Sequence, residues 1–104
     1  MIDLHCYVRF STSLDLHQVT ETISAHLFGG LPFRETEEFD EMPGYRLDVM
    51  MLSIRVYGGG PIYGLVIDPD SRMVSPADQT ETVDISPFIE RALTPITQIQ
   101  IIST

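Results

Sequence analysis

The stretch IDLHCYVRF, residues 2–10, alternates apolar and polar side chains without a break. A period of two along this stretch predicts a β-strand with one face in the core and the other toward solvent. The side chains on the predicted core face are Ile2, Leu4, Cys6, Val8 and Phe10. We therefore expect a sheet whose inner face is covered by segments that follow in the chain.

The next segment has a helical period. Its apolar residues recur at spacings of three and four, at Leu16, Val19, Ile23 and Leu27. This spacing predicts a helix over about 14–28 that buries one stripe. Its cap would come from Ser11, Thr12, Ser13 or Asp15, and Gly29-Gly30 supplies a left-handed stop.

The middle of the chain has the pattern of three strands, with predicted bounds Leu31–Glu41, Tyr45–Tyr57 and Ile62–Ile67. Glu35 and Glu37 share the apolar phase of the first of them, so we expect a bulge or break near Glu35. The second changes phase between Met51 and Leu52, which predicts one long strand with a bulge or bend.

The remaining segments complete an α+β fold. Residues 71–83 are polar and predict a long loop, whereas Ser86 and Pro87 predict the cap and first position of a short helix. A terminal strand over Ile96–Ile102 gives the order β-α-β-β-β-α-β. This order predicts a mainly antiparallel sheet with one main helix packed on one face and a short second helix. A chain of 104 residues without a linker predicts a single domain over 1–104.

Charge is the strongest functional signal. Fifteen acidic residues face six basic ones, all arginine, for a formal net charge of −9. The segments Glu35–Asp48 and Asp68–Glu90 each hold six acids and one arginine. A negative surface favours a basic protein as partner, although a solvated face that aids solubility explains the same runs. The lack of lysine disfavours nucleic acid and anionic membranes as ligands.

The predicted partner-binding residues are the acids of both segments and two aromatic anchors, Phe39 and Tyr45. Aromatic side chains within a charged rim are typical of interfaces that hold a partner as well as attract it. The full set is Glu35, Glu37, Glu38, Phe39, Asp40, Glu41, Tyr45, Asp48, Asp68, Asp70, Asp78, Glu81 and Asp84.

No motif predicts a reaction, a metal site or a cofactor. The histidines and Cys6 lack the spacing of a zinc site, and Asp68-x-Asp70-x-Arg72 lacks the glycine and distal glutamate of a calcium loop. Cys6 is expected to be buried and inert, and the Gly58-Gly59-Gly60 loop precedes a strand and has no lysine to hold a phosphate. We therefore predict a protein that is not an enzyme.

Taken whole, the chain resembles the small acidic immunity proteins that bacteria pair with secreted toxins, such as those of contact-dependent growth inhibition. The resemblance covers the full length and includes the stretches Glu38–Tyr45 and Leu65–Asp70. It implies non-catalytic inhibition of a basic toxin, for instance a nuclease, by a protein that covers the active site or the substrate path. The first residues lack the basic and apolar regions of a secretory signal, so we expect a cytoplasmic protein, monomeric or weakly dimeric.

Two alternatives remain open at this point. A small enzyme or ligand-binding domain would have a pocket between helix and sheet, lined by convergent polar groups with shifted pKa values. An oligomeric accessory protein would pair copies through an exposed edge at Ile96–Ile102.

Overall fold

A computed structural model describes residues 2–39, 42–69 and 81–102 of the chain. Within these ranges the elements are β1 (Ile2–Thr12), α1 (Leu16–Leu27), β2 (Arg34–Thr36), β3 (Gly44–Val49), β4 (Leu52–Tyr57), β5 (Ile62–Pro69), β6 (Glu81–Asp84), α2 (Ser86–Leu93) and β7 (Ile99–Ile101). The predicted α+β class with a mainly antiparallel sheet is confirmed.

The strands form one sheet in the order β2-β3-β4-β5-β1-β6, and β7 also pairs with β1. β6 and β7 pair with opposite ends of β1, because β6 pairs with residues 2–5 and β7 with residues 10–12. The β1–β6 pair is parallel, and the other described pairs are antiparallel. The strand predicted at the start of the chain is therefore the one around which the sheet is built.

Both helices cover the same face of the sheet. The fully buried apolar side chains of β1, β4 and β5 pack there against Val19 and Ile23 of α1 and against Ile89 and Leu93 of α2. All of these side chains are at most about a twentieth exposed. The opposite face, called the open face below, carries the alternate residues of the same strands. No helix among the described residues is long and apolar enough to cross a bilayer.

The main helix begins and ends close to its predicted bounds. Asp15 is its N-cap: the carboxylate accepts from the backbone N–H of Gln18, whose side chain in turn accepts from the Asp15 N–H. This reciprocal pair is a capping box, which satisfies two amide groups at the helix start. The apolar stripe predicted from the sequence is the one that meets the core.

The prediction of one long strand over Tyr45–Tyr57 is wrong, because this segment is a hairpin of the two strands β3 and β4. Met50 and Met51 form a two-residue turn between β3 and β4, with φ angles of +54° and +64°. Such turns favour Asn-Gly, so Met-Met carries no turn signal in the sequence. The phase change between Met51 and Leu52 marks the reversal of the chain, not a bulge.

Three smaller differences concern element bounds. β6 begins at Glu81, inside the segment predicted as a loop, and residues 71–80 of that segment lie outside the described residues. β2 and β7 are shorter than predicted. Ser86 is not the cap of α2; its hydroxyl accepts from the Tyr7 N–H and donates to Asp84, and Ile85 occupies the cap position.

Candidate functional site

Strands β2 and β3 divide their charged residues between the two faces of the sheet. Glu35 lies directly opposite Tyr45 in the antiparallel pair, and Arg34 lies directly opposite Arg46. Because successive side chains of a strand point to opposite faces, the first pair lies toward α1 and the second pair on the open face. Residues that are adjacent in sequence therefore belong to two different surfaces.

Three arginines lie side by side on the open face. Arg34, Arg46 and Arg55 are successive cross-strand neighbours on β2, β3 and β4. Like charges in this arrangement repel each other, so the row needs carboxylates nearby. The next row of the same face provides them, with Asp48 and Asp68 on either side of Ser53.

The carboxylates join the arginines into a continuous ion-pair network. Asp48 lies 3.0 Å from Arg34 Nη2 and 2.8 Å from Arg46 Nε. Glu38, from the loop after β2, lies 2.8 Å from Arg46 Nη1 and 3.5 Å from Arg55 Nε. We refer to this set, with Asp68 and His5, as the ion-pair network.

The network ends at β1 and is most buried in its middle. Arg55 Nη2 contacts Asp68, whose other oxygen lies 2.9 Å from His5 Nδ1. The side chain of Arg55 is 19% exposed, whereas that of Arg34 at the opposite end is 70% exposed. The carboxylates of Glu38, Asp48 and Asp68 are thus neutralised within the protein and contribute little field to a partner.

Two aromatic rings lie flat on the open face beside the network. Phe39 stacks on Tyr57 with ring centroids 4.3 Å apart. A Cβ at Gly64 would lie 2.6 Å from the Tyr57 ring, and one at Gly44 would lie 2.8 Å from the Phe39 ring, so both glycines allow this close approach. Burial, together with the neighbouring Tyr7 hydroxyl, raises the pKa of Tyr57 to about 12.

A groove between α1 and the β2–β3 edge has the opposite character. Tyr45 and His17 meet across it with ring centroids 5.8 Å apart. Asp15 and Glu21 line it from the side of α1, and Glu35 and Glu37 line it from the side of β2. We call the surface formed by these six residues the acidic groove. None of the described residues that line this groove is an arginine.

The groove carboxylates differ in their pairing, because Asp15 accepts from the Gln18 N–H at the start of α1 whereas two others have no partner among the described residues. Glu35 and Glu37 make no hydrogen bond or ion pair with any described residue. Glu21 lies 3.2 Å from His17 Nε2 and is 70% exposed. The pKa of the Tyr45 hydroxyl is raised by burial first and then by the negative charges of Glu35, Asp15 and Glu21.

The groove holds two depressions that share His17 and Tyr45 in their walls. One, of about 410 Å³, lies between Asp15 and Glu37. The other, of about 440 Å³, runs along α1 toward Phe33 and is called the inner pocket below. Both volumes are within the range of sites that hold a small ligand or a side chain of a partner.

The predicted partner-binding residues are therefore divided. Glu35, Glu37 and Tyr45 come together in the acidic groove. On the open face lie Glu38, Phe39, Asp48 and Asp68, so the two predicted anchors face opposite directions. Asp84 lies beside His5, its neighbour in the β1–β6 pair, at the β1 end of the ion-pair network, and it accepts from the backbone and hydroxyl of Ser86, which lower its pKa. Glu81 lies in β6, and Asp40, Glu41, Asp70 and Asp78 lie outside the described residues.

Sequence reasoning missed the contribution of α1 to the groove. His17, Thr20, Glu21 and Ser24 follow each other at helical spacing, so they share the face of α1 beside the buried stripe. That spacing was visible in the sequence. Its importance was not, because only the fold shows that this face lies against Tyr45 and not against bulk solvent.

Cys6 gives no support to nucleophilic chemistry. It is buried, as predicted, and burial raises the pKa of its thiol to about 11. The thiol therefore remains protonated at neutral pH, and the thiolate is the reactive form. Across residues 2–39, 42–69 and 81–102, no group of three or more His, Cys, Asp or Glu side chains is arranged to hold a metal ion.

Comparison of this chain with protein-family models, curated proteins and solved structures finds no match.

Proposed function

We propose that this protein is a non-catalytic inhibitor that binds a basic protein partner through the acidic groove. The observation that carries the proposal is the contrast in pairing: Glu35 and Glu37 have no partner among the described residues, whereas Glu38, Asp48 and Asp68 are held by arginines. Unpaired carboxylates around an aromatic ring attract cations and also provide a contact surface.

The finer proposal is an immunity protein that protects a bacterial cytoplasm from a basic toxin, for instance a nuclease. A nuclease needs lysine and arginine in its substrate groove to hold phosphates. Carboxylates of the acidic groove would pair with the same side chains by charge-assisted hydrogen bonds. The inhibitor would thus occupy the substrate path without doing chemistry.

The test is binding to the toxin domain encoded directly upstream of this chain's gene. Titration calorimetry at rising salt compares wild type with the triple variant Glu21→Gln, Glu35→Gln and Glu37→Gln. We expect binding that weakens with salt and falls at least about tenfold in the triple variant, because charge pairs at an interface contribute over 1 kcal/mol. Glu90→Gln on α2 is the matched control for the single variant Glu35→Gln, since each removes one charge, and it should bind as wild type does because it lies outside the groove.

Three results would contradict the proposal: no toxin domain beside the gene, an affinity that does not depend on salt, or equal losses in the groove and control variants.

Binding of a small molecule in the inner pocket is a second candidate function. Its volume of about 440 Å³ and the polar groups of Thr20, Glu21 and His17 favour it.

A further inference from the structure

The open face carries apolar and aromatic surface that no second layer of described residues covers. Both helices pack on the other side of the sheet, and the loop with Glu38 and Phe39 lies over part of this face. Tyr7 and Ile62 belong to the open face by strand alternation and are 53% and 46% exposed. An antiparallel sheet can leave one face to water, but such a face carries mainly polar side chains. The apolar residues here therefore indicate a contact surface.

The charges of the open face cancel, although those of the chain do not. Its described side chains include four arginines and four carboxylates, which are Arg9, Arg34, Arg46 and Arg55 with Glu38, Asp48, Asp68 and Asp84. The whole chain has a formal net charge of −9, and the acidic groove on the helix side contributes to that field. Two copies of so acidic a protein repel each other, and contact through the open face avoids most of that repulsion.

The most exposed charges of the open face lie at its opposite ends. Arg34 on β2 is 70% exposed, and its Nη2 contacts Asp48. Asp84 on β6 is exposed as well and accepts from Ser86. β2 and β6 are the first and last strands in the order β2-β3-β4-β5-β1-β6. One end of the face therefore presents a cation and the other a carboxylate, so the face is complementary to a copy of itself.

We propose that two copies of this protein pack open face to open face, about a two-fold axis that runs parallel to the strands between β4 and β5. This axis places β2 of each copy over β6 of the other, so that Arg34 meets Asp84 at two symmetric positions. Asp84 lies two residues, about 7 Å, along the strands from the row of Arg34, which an arginine side chain spans. An axis perpendicular to the strands would instead bring Arg34 over Arg34 and repel.

The same axis gives the exposed ring of Tyr7 a matching neighbour. It places β1 of one copy over β3 of the other, and Tyr7 lies in the row that contains Arg46. A guanidinium over a tyrosine ring is a favourable contact, stronger when water is excluded. The centre of the interface thus holds aromatic and apolar side chains between two charged ends, as interfaces commonly do.

The size of the face predicts a weak dimer. Six strands about 4.8 Å apart, each about six residues long, give a face of about 24 by 20 Å. Two such faces bury on the order of 1,000 Å² in total, at the lower end of specific interfaces, so we expect a dissociation constant on the order of 10 μM. The acidic groove lies on the helix side of each copy and stays exposed in this dimer.

The test is sedimentation velocity of the full chain at rising concentration, with charge-reversed variants. Arg34→Glu and Asp84→Arg each place like charges together at both symmetric positions, so each should weaken self-association at least about tenfold. An equal mixture of the two variants should dimerise nearly as well as wild type, because both contacts then join opposite charges. This recovery on mixing follows from the two-fold arrangement and is not expected of pairing through a sheet edge.

A second pair of variants tests the same face without the charges. Tyr7→Ser should weaken the dimer about tenfold, whereas Phe88→Ser should dimerise as wild type does. Phe88 is the matched control, since its ring is 63% exposed but lies on α2. Tyr7→Ser also keeps the proposal testable if Asp84→Arg, which removes the contacts with Ser86, fails to fold.

Three results would overturn the dimer: wild type that stays monomeric at about ten times the expected dissociation constant, a mixture that associates no better than either charge variant, or a loss in Phe88→Ser that equals the loss in Tyr7→Ser. The dimer and the proposed inhibitor function can fail separately, because they use opposite sides of the sheet. A monomer that binds the toxin domain through the groove leaves the function in place, and a dimer that binds no basic protein leaves this inference in place.

Discussion

The ion-pair network and the acidic groove lie on opposite sides of the same two strands, and they treat carboxylates in opposite ways. On the open face, Glu38, Asp48 and Asp68 alternate with arginines and are partly buried. Beside α1, Glu35 and Glu37 stand around Tyr45 without a basic partner among the described residues. The comparison teaches that the acidity of a segment says little about the charge of a surface. Pairing decides it, because a neutralised carboxylate stabilises the fold and an unpaired one remains available for binding.

The comparison predicts the largest stability effect in the middle of the network. Arg55→Met should lower the free energy of unfolding by about 2 kcal/mol, because the half-buried carboxylates of Glu38 and Asp68 each lose a cation. Arg34→Met is the matched control and should cost at most about 0.5 kcal/mol, since Arg34 is mostly exposed. Urea denaturation measures both. Equal losses would mean that the network is only a set of surface pairs.

The second prediction concerns the turn at the far end of β3, where substitution should raise the free energy of unfolding. Replacing Met50 by Asn and Met51 by Gly should raise the free energy of unfolding by about 1 kcal/mol, because these residues accept positive φ angles more easily. The turn residues lie outside the β3–β4 pairs that align Arg46 with Arg55. The backbone NMR signals of the ion-pair network and the acidic groove should therefore be unchanged. A destabilised double variant would show that the methionine side chains contribute contacts that outweigh the strain.

Tyrosine ionisation provides a third test, because Tyr57 lies on the open face and Tyr45 lies in the acidic groove. The folded pKa of Tyr57 is about 12 against an ordinary value of 10, so the folded state keeps a proton that the unfolded state loses. Its contribution to stability is complete below about pH 10 and is lost as the pH rises toward about 12. The pKa of Tyr45 is also raised, by burial first and then by Glu35, Asp15 and Glu21.

Stability measured across this alkaline range should therefore fall less steeply in Tyr57→Phe than in wild type, with a smaller change in Tyr45→Phe. Both variants keep the ring, which separates the hydroxyl from the stacking. In Glu35→Gln, the pKa of Tyr45 should move down toward 10 while that of Tyr57 stays the same, as followed by ¹³C NMR of the rings. A shift of both rings together would mean that the two surfaces share one field.

The smallest effect concerns salt. Wild-type stability should rise by a few tenths of a kcal/mol between low and high ionic strength, because salt screens repulsion among unpaired carboxylates. The rise should be smaller in the Glu21→Gln, Glu35→Gln, Glu37→Gln variant and unchanged in Glu90→Gln. Denaturation curves at both salt concentrations provide the comparison. If stability of the triple variant rises with salt as much as that of wild type, the repulsion does not come from the groove carboxylates.

Much of the fold was predictable because its signals are local. The alternation of residues 2–10, the spacing of three and four in α1, and the Pro87 start of α2 each depend on neighbours in sequence. The Met50-Met51 hairpin and β6 were missed because they carry no local signal. The turn contains none of the residues that mark turns, and β6 is defined by pairing with β1, about 80 residues away in the chain.

The α+β class, the buried face of β1, the buried stripe of α1 and the excess of negative charge can be predicted from the order of residues. Which of those charges remain unpaired depends on the folded arrangement. Arg34 next to Glu35, Glu37 next to Glu38, and Tyr45 next to Arg46 separate to opposite sides, and the register of β2, β3 and β4 then brings arginines and carboxylates together on one side alone. The physical reason is that a Coulomb interaction depends on distance in space, which the order of residues does not specify.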